Sequence, residues 1–352
     1  MRIGTAINYE DEFHHAVDEL VDYEAAGLDV VFVPEAYSFD AVSQLGFIAA
    51  RTKRLEIASG VLPLYTRTPA LLAMTAAGLD HVSEGRFTLG IGASGPQVIE
   101  GFHGVPFDAP LGRTREIIEI CRLIWQRRRL EYEGKHYQAP LSAGRGTGLG
   151  KPLKLIGKPV RERIPIVIGA VGPANVTLTA EIADGWKPVF YVPEHAESVW
   201  GASLRAGTAR REPGLGQLDV ITQAYLTISD QRQTIEDAMN QARPMLARYI
   251  GGMGAKGKNF YHDLACRYGH EDEADIIQDL YLSGHRRAAE SAVPVELIRK
   301  TQLIGSRDAV FERLAAFAKS QVTTVIVTPI APSRPERIRL VERAGEMIAQ
   351  LR

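Results

Sequence analysis

The segment spanning residues 86–104 (RFTLGIGASGPQVIEGFHG) concentrates the residue types that can hold a ligand. An apolar run over 87–91 stops at a glycine-rich turn, and a helix-like stretch follows over 97–102. Such a turn leaves backbone N–H groups open at a helix start, where an anion or a flat cofactor can dock. Gly90, Gly92 and Gly95 satisfy the G-x-G-x-x-G spacing of a dinucleotide fingerprint. That fingerprint requires a strand–helix–strand unit of about 30 residues with an acid near the end of its second strand. No second strand is evident for about 70 residues here, so the turn reads as a ligand loop of another fold. The serine-nucleophile pattern G-x-S-x-G fails as well, because Gly92 and Pro96 flank Ser94.

Three further segments end an apolar run with turn chemistry. In 168–176 (IGAVGPANV), Gly169 and Gly172 allow close backbone approach, Pro173 suits a first helical position, and the amides of Ala174, Asn175 and Val176 would face a phosphate. The Gly-Lys-Ser/Thr ending of a nucleotide-binding loop is missing. In 58–69 (ASGVLPLYTRTP), Gly60 and Pro63 mark a turn where a cis peptide would be unsurprising beside a ligand, and Arg67 follows. In 34–40 (PEAYSFD), Glu35 and Tyr37 follow a strand. His103 is the one histidine of nine beside a candidate loop, and no metal-ligand spacing is present.

These loops need elements to hold them. Eight apolar, β-branched runs read as strands, at 2–7, 30–34, 56–61, 87–91, 164–168, 185–189, 220–226 and 324–327. Several are continuous rather than alternating, as in a parallel sheet buried on both faces. Helical periodicity lies between them at 12–26, 41–52, 69–82, 111–126, 173–183, 233–248 and 307–319, with a short helix at 106–110. Asp40 caps the second of these, and Thr68 with Pro69 starts the third. Alternating strands and helices predict an α/β fold, a (β/α)8 TIM barrel, over one domain spanning residues 1–352. Insertions are expected after strand four (about 130–160) and strand seven (250–294), the latter with glycines able to hinge a lid.

A formal net charge of −1 gives no general attraction to nucleic acid or to an anionic membrane. No apolar run reaches the length of a membrane span, and no signal segment is visible, so a cytoplasmic protein is expected. The two cysteines, Cys121 and Cys266, sit in helix-like stretches and are read as buried free thiols.

Residues 92–116 (GASGPQVIEGFHGVPFDAPLGRTRE), with EGKHYQAPL, GLGKPLKL and GPANVTLTAEIADGW (172–186), resemble the luciferase-like monooxygenase superfamily. The similarity is to its deazaflavin branch, actinobacterial oxidoreductases dependent on coenzyme F420 and related to methylenetetrahydromethanopterin reductase. It is weakest over 250–294. It implies a barrel of the bacterial-luciferase type and hydride transfer between C5 of a deazaflavin and a small organic substrate. FMN-dependent monooxygenation and non-catalytic deazaflavin binding are the alternatives it leaves. It implies a cis peptide at Gly60–Val61 behind the ring, and Glu35 hydrogen-bonded to the ring system. Gly92 would also touch the cofactor, Gly95, Pro96, Gln97 and Glu100 would lie beside the polyol chain, and Gly169, Val171, Gly172, Asn175 and Val176 at the phosphate side. Tyr65 and Arg67 would reach the pocket rim. Ala36 replaces the catalytic histidine of the family's sugar-phosphate dehydrogenases, which leaves Glu35, Tyr37, His103 or water as proton donors. A homodimer is implied too.

Overall fold

The computed structural model describes residues 1–7 and 12–351. Eight parallel strands close into a barrel: β1 (Arg2–Ala6), β2 (Val30–Val33), β3 (Glu56–Ser59), β4 (Phe87–Gly92), β5 (Ile166–Gly169), β6 (Gly185–Lys187), β7 (Asp219–Ile228) and β8 (Thr324–Pro329). Each pairs with the next in chain order, and β8 returns to β1 in the register Arg2↔Thr324 to Thr5↔Val327. The continuous apolar runs are buried on both sides because helices cover the outside and side chains fill the inside. The third run ends two residues earlier than its apolar content suggests, at Ser59. A separate bridge, Leu62–Pro63, then pairs with β4.

Around the barrel lie α1 (Phe13–Ala25), α2 (Ala41–Arg51), α3 (Pro69–Val82), α4 (Pro110–Trp125), α5 (Pro173–Ile182) and α6 (Arg232–Ala247). The side chain of Asp40 accepts from Ser43 N at 2.9 Å, and Thr68 Oγ1 accepts from Leu71 N at 3.2 Å, so both caps form. The expected helix at 106–110 does not form. Val105 and Ala109 precede prolines, which push a residue out of the helical region, and Ala109 adopts φ 45°.

Both insertions occur. The first holds a two-residue antiparallel pairing, Tyr132–Glu133 with Gln138–Ala139. Buried Glu116 of α4 pins it by accepting backbone N–H bonds from Lys135, His136 and Tyr137 at 2.8–3.0 Å. The second builds α7 (Phe260–Arg267) and α8 (Glu271–Leu282). It docks through Tyr268, whose hydroxyl donates to the Phe190 carbonyl at 2.8 Å. Its glycines are not a hinge cluster. A Cβ on Gly251 or Gly252 would meet the Tyr281 side chain at 2.5 or 2.4 Å, and one on Gly254 the Lys258 carbonyl at 2.5 Å. Gly251, Gly252 and Gly254 serve close packing, whereas Gly257 (φ 74°), Gly269 (φ 86°) and Gly284 (φ 86°) need the left-handed region.

Cys121 is buried in α4, as expected, whereas Cys266 is only half-buried on α7, 3.7 Å from His262 Nδ1. α9 (Arg307–Lys319) and α10 (Arg334–Ala349) complete the ring. Among the described residues no helix is long and apolar enough to cross a membrane.

Candidate functional site

Strand alternation sorts the barrel interior into levels. At the N-terminal end Arg2 bonds Glu56 at 2.7 Å and Asp219 at 2.8 Å, a polar plug. The middle is apolar, with Val30, Phe32, Ala58, Val167, Ile221 and Ile326 in one cluster. One step further, towards the C-terminal ends where barrels of this kind place their chemistry, the inward positions become glycines. Gly92 of β4 and Gly169 of β5 face this end, with Gly60 beyond β3, so Gly169, as the last residue of its strand, belongs to the inward wall rather than to the phosphate-side turn expected for it.

The Gly60–Val61 peptide is cis, as the resemblance implies. Val61 leans over the glycines. A Cβ on Gly92 would lie 2.8 Å from Val61 Cγ2, and one on Gly169 would lie 3.7 Å from Val61 Cγ1. A Cβ on Gly90 would strike the Ser59 carbonyl oxygen at 1.9 Å, so that glycine is fixed by strand approach. The result is a smooth, apolar wall of glycines covered by Val61, a shape suited to the flat face of a ring.

Glu35 follows β2 and is almost wholly enclosed, with its side chain 10% exposed. Arg67 grips both of its oxygens, Nη1 to Oε1 at 2.6 Å and Nη2 to Oε2 at 2.9 Å, and reaches Asp40 at 2.9 Å. Glu35 Oε2 also accepts from Ala41 N at 3.0 Å. Burial opposes the Arg67 charge, but the bonds and charge of Glu35, then of Asp40, raise its pKa. Bidentate pairing of this kind fixes geometry. It makes Glu35 an anchor between the loops after β2 and β3, engaged on both oxygens, and so poorly placed to pass a proton. Tyr65 turns away, its hydroxyl donating to Asp108 O at 2.7 Å.

The loop after β4 starts the helical turn Pro96–Ile99 and meets the β2 loop where Phe102 lies 6.3 Å from the Tyr37 ring. Gln97 is exposed, and its Oε1 lies near the Cβ position of Gly95. Glu100 is spent on the loop itself, accepting from Phe107 N at 3.1 Å. His103 stacks edge-on against Phe102, and its buried Nε2 has no hydrogen-bond partner.

At the β5–α5 turn, Val176 N–H donates to Gly172 O at 3.0 Å and the Val176 side chain is fully buried. Val176 therefore belongs to the helix and the core, and the amides this start presents are those of Ala174 and Asn175. Asn175 Oδ1 is buried and unpartnered. Val171 is half-buried and accepts from Trp200 Nε1 through its carbonyl at 3.4 Å. Phe260 from the second insertion lies over Gly172, 3.2 Å from where a Cβ would sit. A glycine cradle, two orphaned polar atoms and a helix start together fit a ring carrying a hydroxylated, phosphorylated tail.

Lys187 escapes a motif search, because a single lysine in GWKPV reads as a surface residue. It ends β6, level with Gly169, on the inward face, and its ammonium donates to Gln223 Oε1 at 2.9 Å. Burial pushes its pKa down to about 8. The signal was its parity with Gly185, two residues back along a buried strand.

Two cavities lie elsewhere. One of about 520 Å³ sits outside the mouth among Tyr65, Arg67, Pro69, Asp108, Arg113 and Tyr137. The other, about 290 Å³, surrounds the Arg2 plug. Neither is lined by Gly92, Gly169 or Lys187, so the site is assigned by where the strand ends converge rather than by cavity size.

Residues 1–324 match the luciferase-like monooxygenase family. The chain is 40% identical over 337 residues to a candidate coenzyme F420-dependent oxidoreductase of Mycobacterium tuberculosis, covering 93% of this chain and 95% of the relative. It is 28% identical over 337 residues to the 5,10-methylenetetrahydromethanopterin reductase of Archaeoglobus fulgidus, covering 94% and 93%. In three dimensions it superposes on the coenzyme F420-dependent tetrahydromethanopterin reductase of Methanopyrus kandleri with a TM-score of 0.80 at 22% identity, over 100% and 99% of the two chains, a likeness of fold.

Proposed function

The chain belongs to the luciferase-like monooxygenase family, and from that premise we propose that it is a coenzyme F420-dependent oxidoreductase acting on a small organic substrate. The observation that carries this reading is the glycine cradle at the ends of β4 and β5, backed by Val61 on its cis peptide. When bound, the deazaflavin supplies a hydride donor or acceptor at C5. The chain's own residues supply position and shielding. Gly60, Val61, Gly92 and Gly169 face the ring, and the loop of Gly95, Pro96, Gln97 and Glu100 borders the polyol. Gly172, Asn175 and the Val171 carbonyl turn frame the phosphate side. Glu35 and Arg67 lock the loop that carries the cis peptide against α2. His103 offers an unpartnered nitrogen to the tail.

The second insertion covers the phosphate side through Phe260 and limits the space left for substrate. We read the whole of residues 1–352 as one domain, active in the cytoplasm as a homodimer. Fluorescence titration of the purified protein with coenzyme F420 and with FMN tests the reading. Micromolar binding of F420 with weak or no FMN binding is expected. Micromolar FMN binding without F420 binding would replace it with the flavin-dependent alternative.

A further inference from the structure

Reduction of a carbonyl by hydride leaves negative charge on oxygen, so a site of this kind needs a proton beside the acceptor. Neither Glu35 nor Glu100 is free to give one. Glu35 is gripped on both oxygens, and Glu100 holds the backbone of Phe107. Lys187 is differently placed. It stands at the inward end of β6, level with Gly169 of the cradle. Among the described residues its one hydrogen bond goes to a neutral amide, Gln223 Oε1, which leaves two ammonium protons uncommitted there. The groups facing it from the adjoining strands are Gly169 on β5, and Ile221 and Gln223 on β7, none of them titratable. Among the described residues no carboxylate pairs with this half-buried lysine; such an arrangement is costly, and such residues recur where their protons are used.

We propose that Lys187, steered by Gln223, is the proton donor to the substrate oxygen during hydride transfer. The proposal rests on the reading that the barrel mouth holds reduced coenzyme F420. The substrate class is then a small carbonyl compound, aldehyde, ketone or enone. The C=O π bond breaks, its carbon gains a C–H bond from the hydride with both electrons, and its oxygen takes one N–H proton of Lys187. The deazaflavin is oxidised by two electrons, and the neutral amine left at Lys187 regains a proton from water at the mouth. Burial supports the assignment by bringing the ammonium down to about 8, where it gives up a proton readily and remains mostly charged at neutral pH.

The first test reads the lysine itself. The full chain is reductively methylated with 13C-formaldehyde, with and without coenzyme F420, and each dimethyl-lysine signal is followed through a pH titration by NMR. The signal missing from Lys187→Met belongs to this residue. It is expected to titrate near 8, and to form about tenfold more slowly when coenzyme is bound. Titration in the ordinary lysine range, about 10.4, or labelling indifferent to coenzyme would overturn the proposal.

The second test is single-turnover oxidation of reduced F420 by a panel of enones and ketones. Lys187→Met and Lys187→Gln should bind F420 as the unaltered chain does but transfer hydride about 100-fold more slowly. They should also lose the alkaline fall in rate near pH 8, and ethylammonium should restore part of it. Equal rates in these variants, with F420 bound and turned over by the unaltered chain, would defeat the lysine assignment alone. Failure of the unaltered chain to bind F420 would instead defeat the reading on which it rests.

Discussion

At the scale of single residues, two charged groups near the barrel mouth divide the work. Glu35 is buried with its countercharge: the Arg67 bonds, 2.6 and 2.9 Å, and the Ala41 amide compensate its desolvation, so it secures a loop. Lys187 has no countercharge among the described residues, and burial brings its pKa down to about 8 from an ordinary 10.5. A lysine whose pKa is lowered on folding binds fewer protons in the folded chain than in the unfolded one between those two values. Stability should therefore rise as pH climbs from about 8 to about 10.5, and below 8 the folded state bears the full cost of the buried charge. Lys187→Met removes that cost while keeping the length of the side chain. It is expected to raise the unfolding free energy at pH 7 by roughly 3 kcal/mol, with the gain shrinking towards zero by pH 10.5. Urea titrations at both pH values measure this. A variant no more stable than the unaltered chain at pH 7 would show that the ammonium is well solvated.

At the scale of elements, the glycines in and after β4 have different duties that sequence spacing does not separate. Gly90 is fixed by backbone approach: a Cβ there would sit 1.9 Å from the Ser59 carbonyl oxygen, and Gly90→Ala should prevent stable closure of β3 on β4. Gly95 has an extended backbone (φ −128°, ψ 158°) and only the flexible end of Gln97 near its Cβ position. Gly95→Leu should fold with an unchanged melting temperature while weakening F420 binding about tenfold, as seen by fluorescence titration. Normal affinity in that variant would remove the loop from the site. The strands were legible because buried parallel strands are unbroken apolar runs, and the caps because Asp40 and Thr68–Pro69 carry their own local chemistry. The cis peptide at Gly60–Val61 came from the family resemblance rather than from local chemistry. What stayed hidden depends on distant partners. The Glu35–Arg67 lock joins residues 32 apart, Lys187 gains meaning only from its facing position beside Gln223, and Phe260 reaches Gly172 from the second insertion. The supposed helix at 106–110 failed on a local rule, the effect of proline on the residue before it.

At the scale of the whole molecule, the outer surface of the barrel is not uniform. α3 buries Leu72, Ala73, Ala76, Ala77 and Leu79 inward, yet its outer stripe is also apolar: Leu71 is 49% exposed, Met74 54% and Val82 56%, with Gly78 open to solvent between them. Its acid, Asp80, points inward to Arg161 and so gives the stripe no charge. Spacings of three and four residues place this stripe on one face. Neighbouring α2 carries half-buried Val42, whereas its Phe47 packs against Phe13 and His14 of α1. An exposed apolar stripe of this kind, with a small residue that lets another helix approach, suits an association surface. It supports the homodimer proposed above, with α2 and α3 of two copies packed about a twofold axis that places the same stripe on both sides. The barrel mouth lies at the strand ends, away from the flank these helices cover, so the two functions are separable. Met74→Glu, placed at the centre of the stripe, would bury a charge against its own copy across that axis. Light scattering coupled to size exclusion should show a dimer for the unaltered chain and a monomer for the variant, with unchanged circular dichroism. F420 affinity should stay within about threefold, since no residue of the stripe lines the mouth. A variant that stays dimeric would move the interface elsewhere on the barrel, and an unaltered chain that runs as a monomer would leave the stripe without a partner of its own kind.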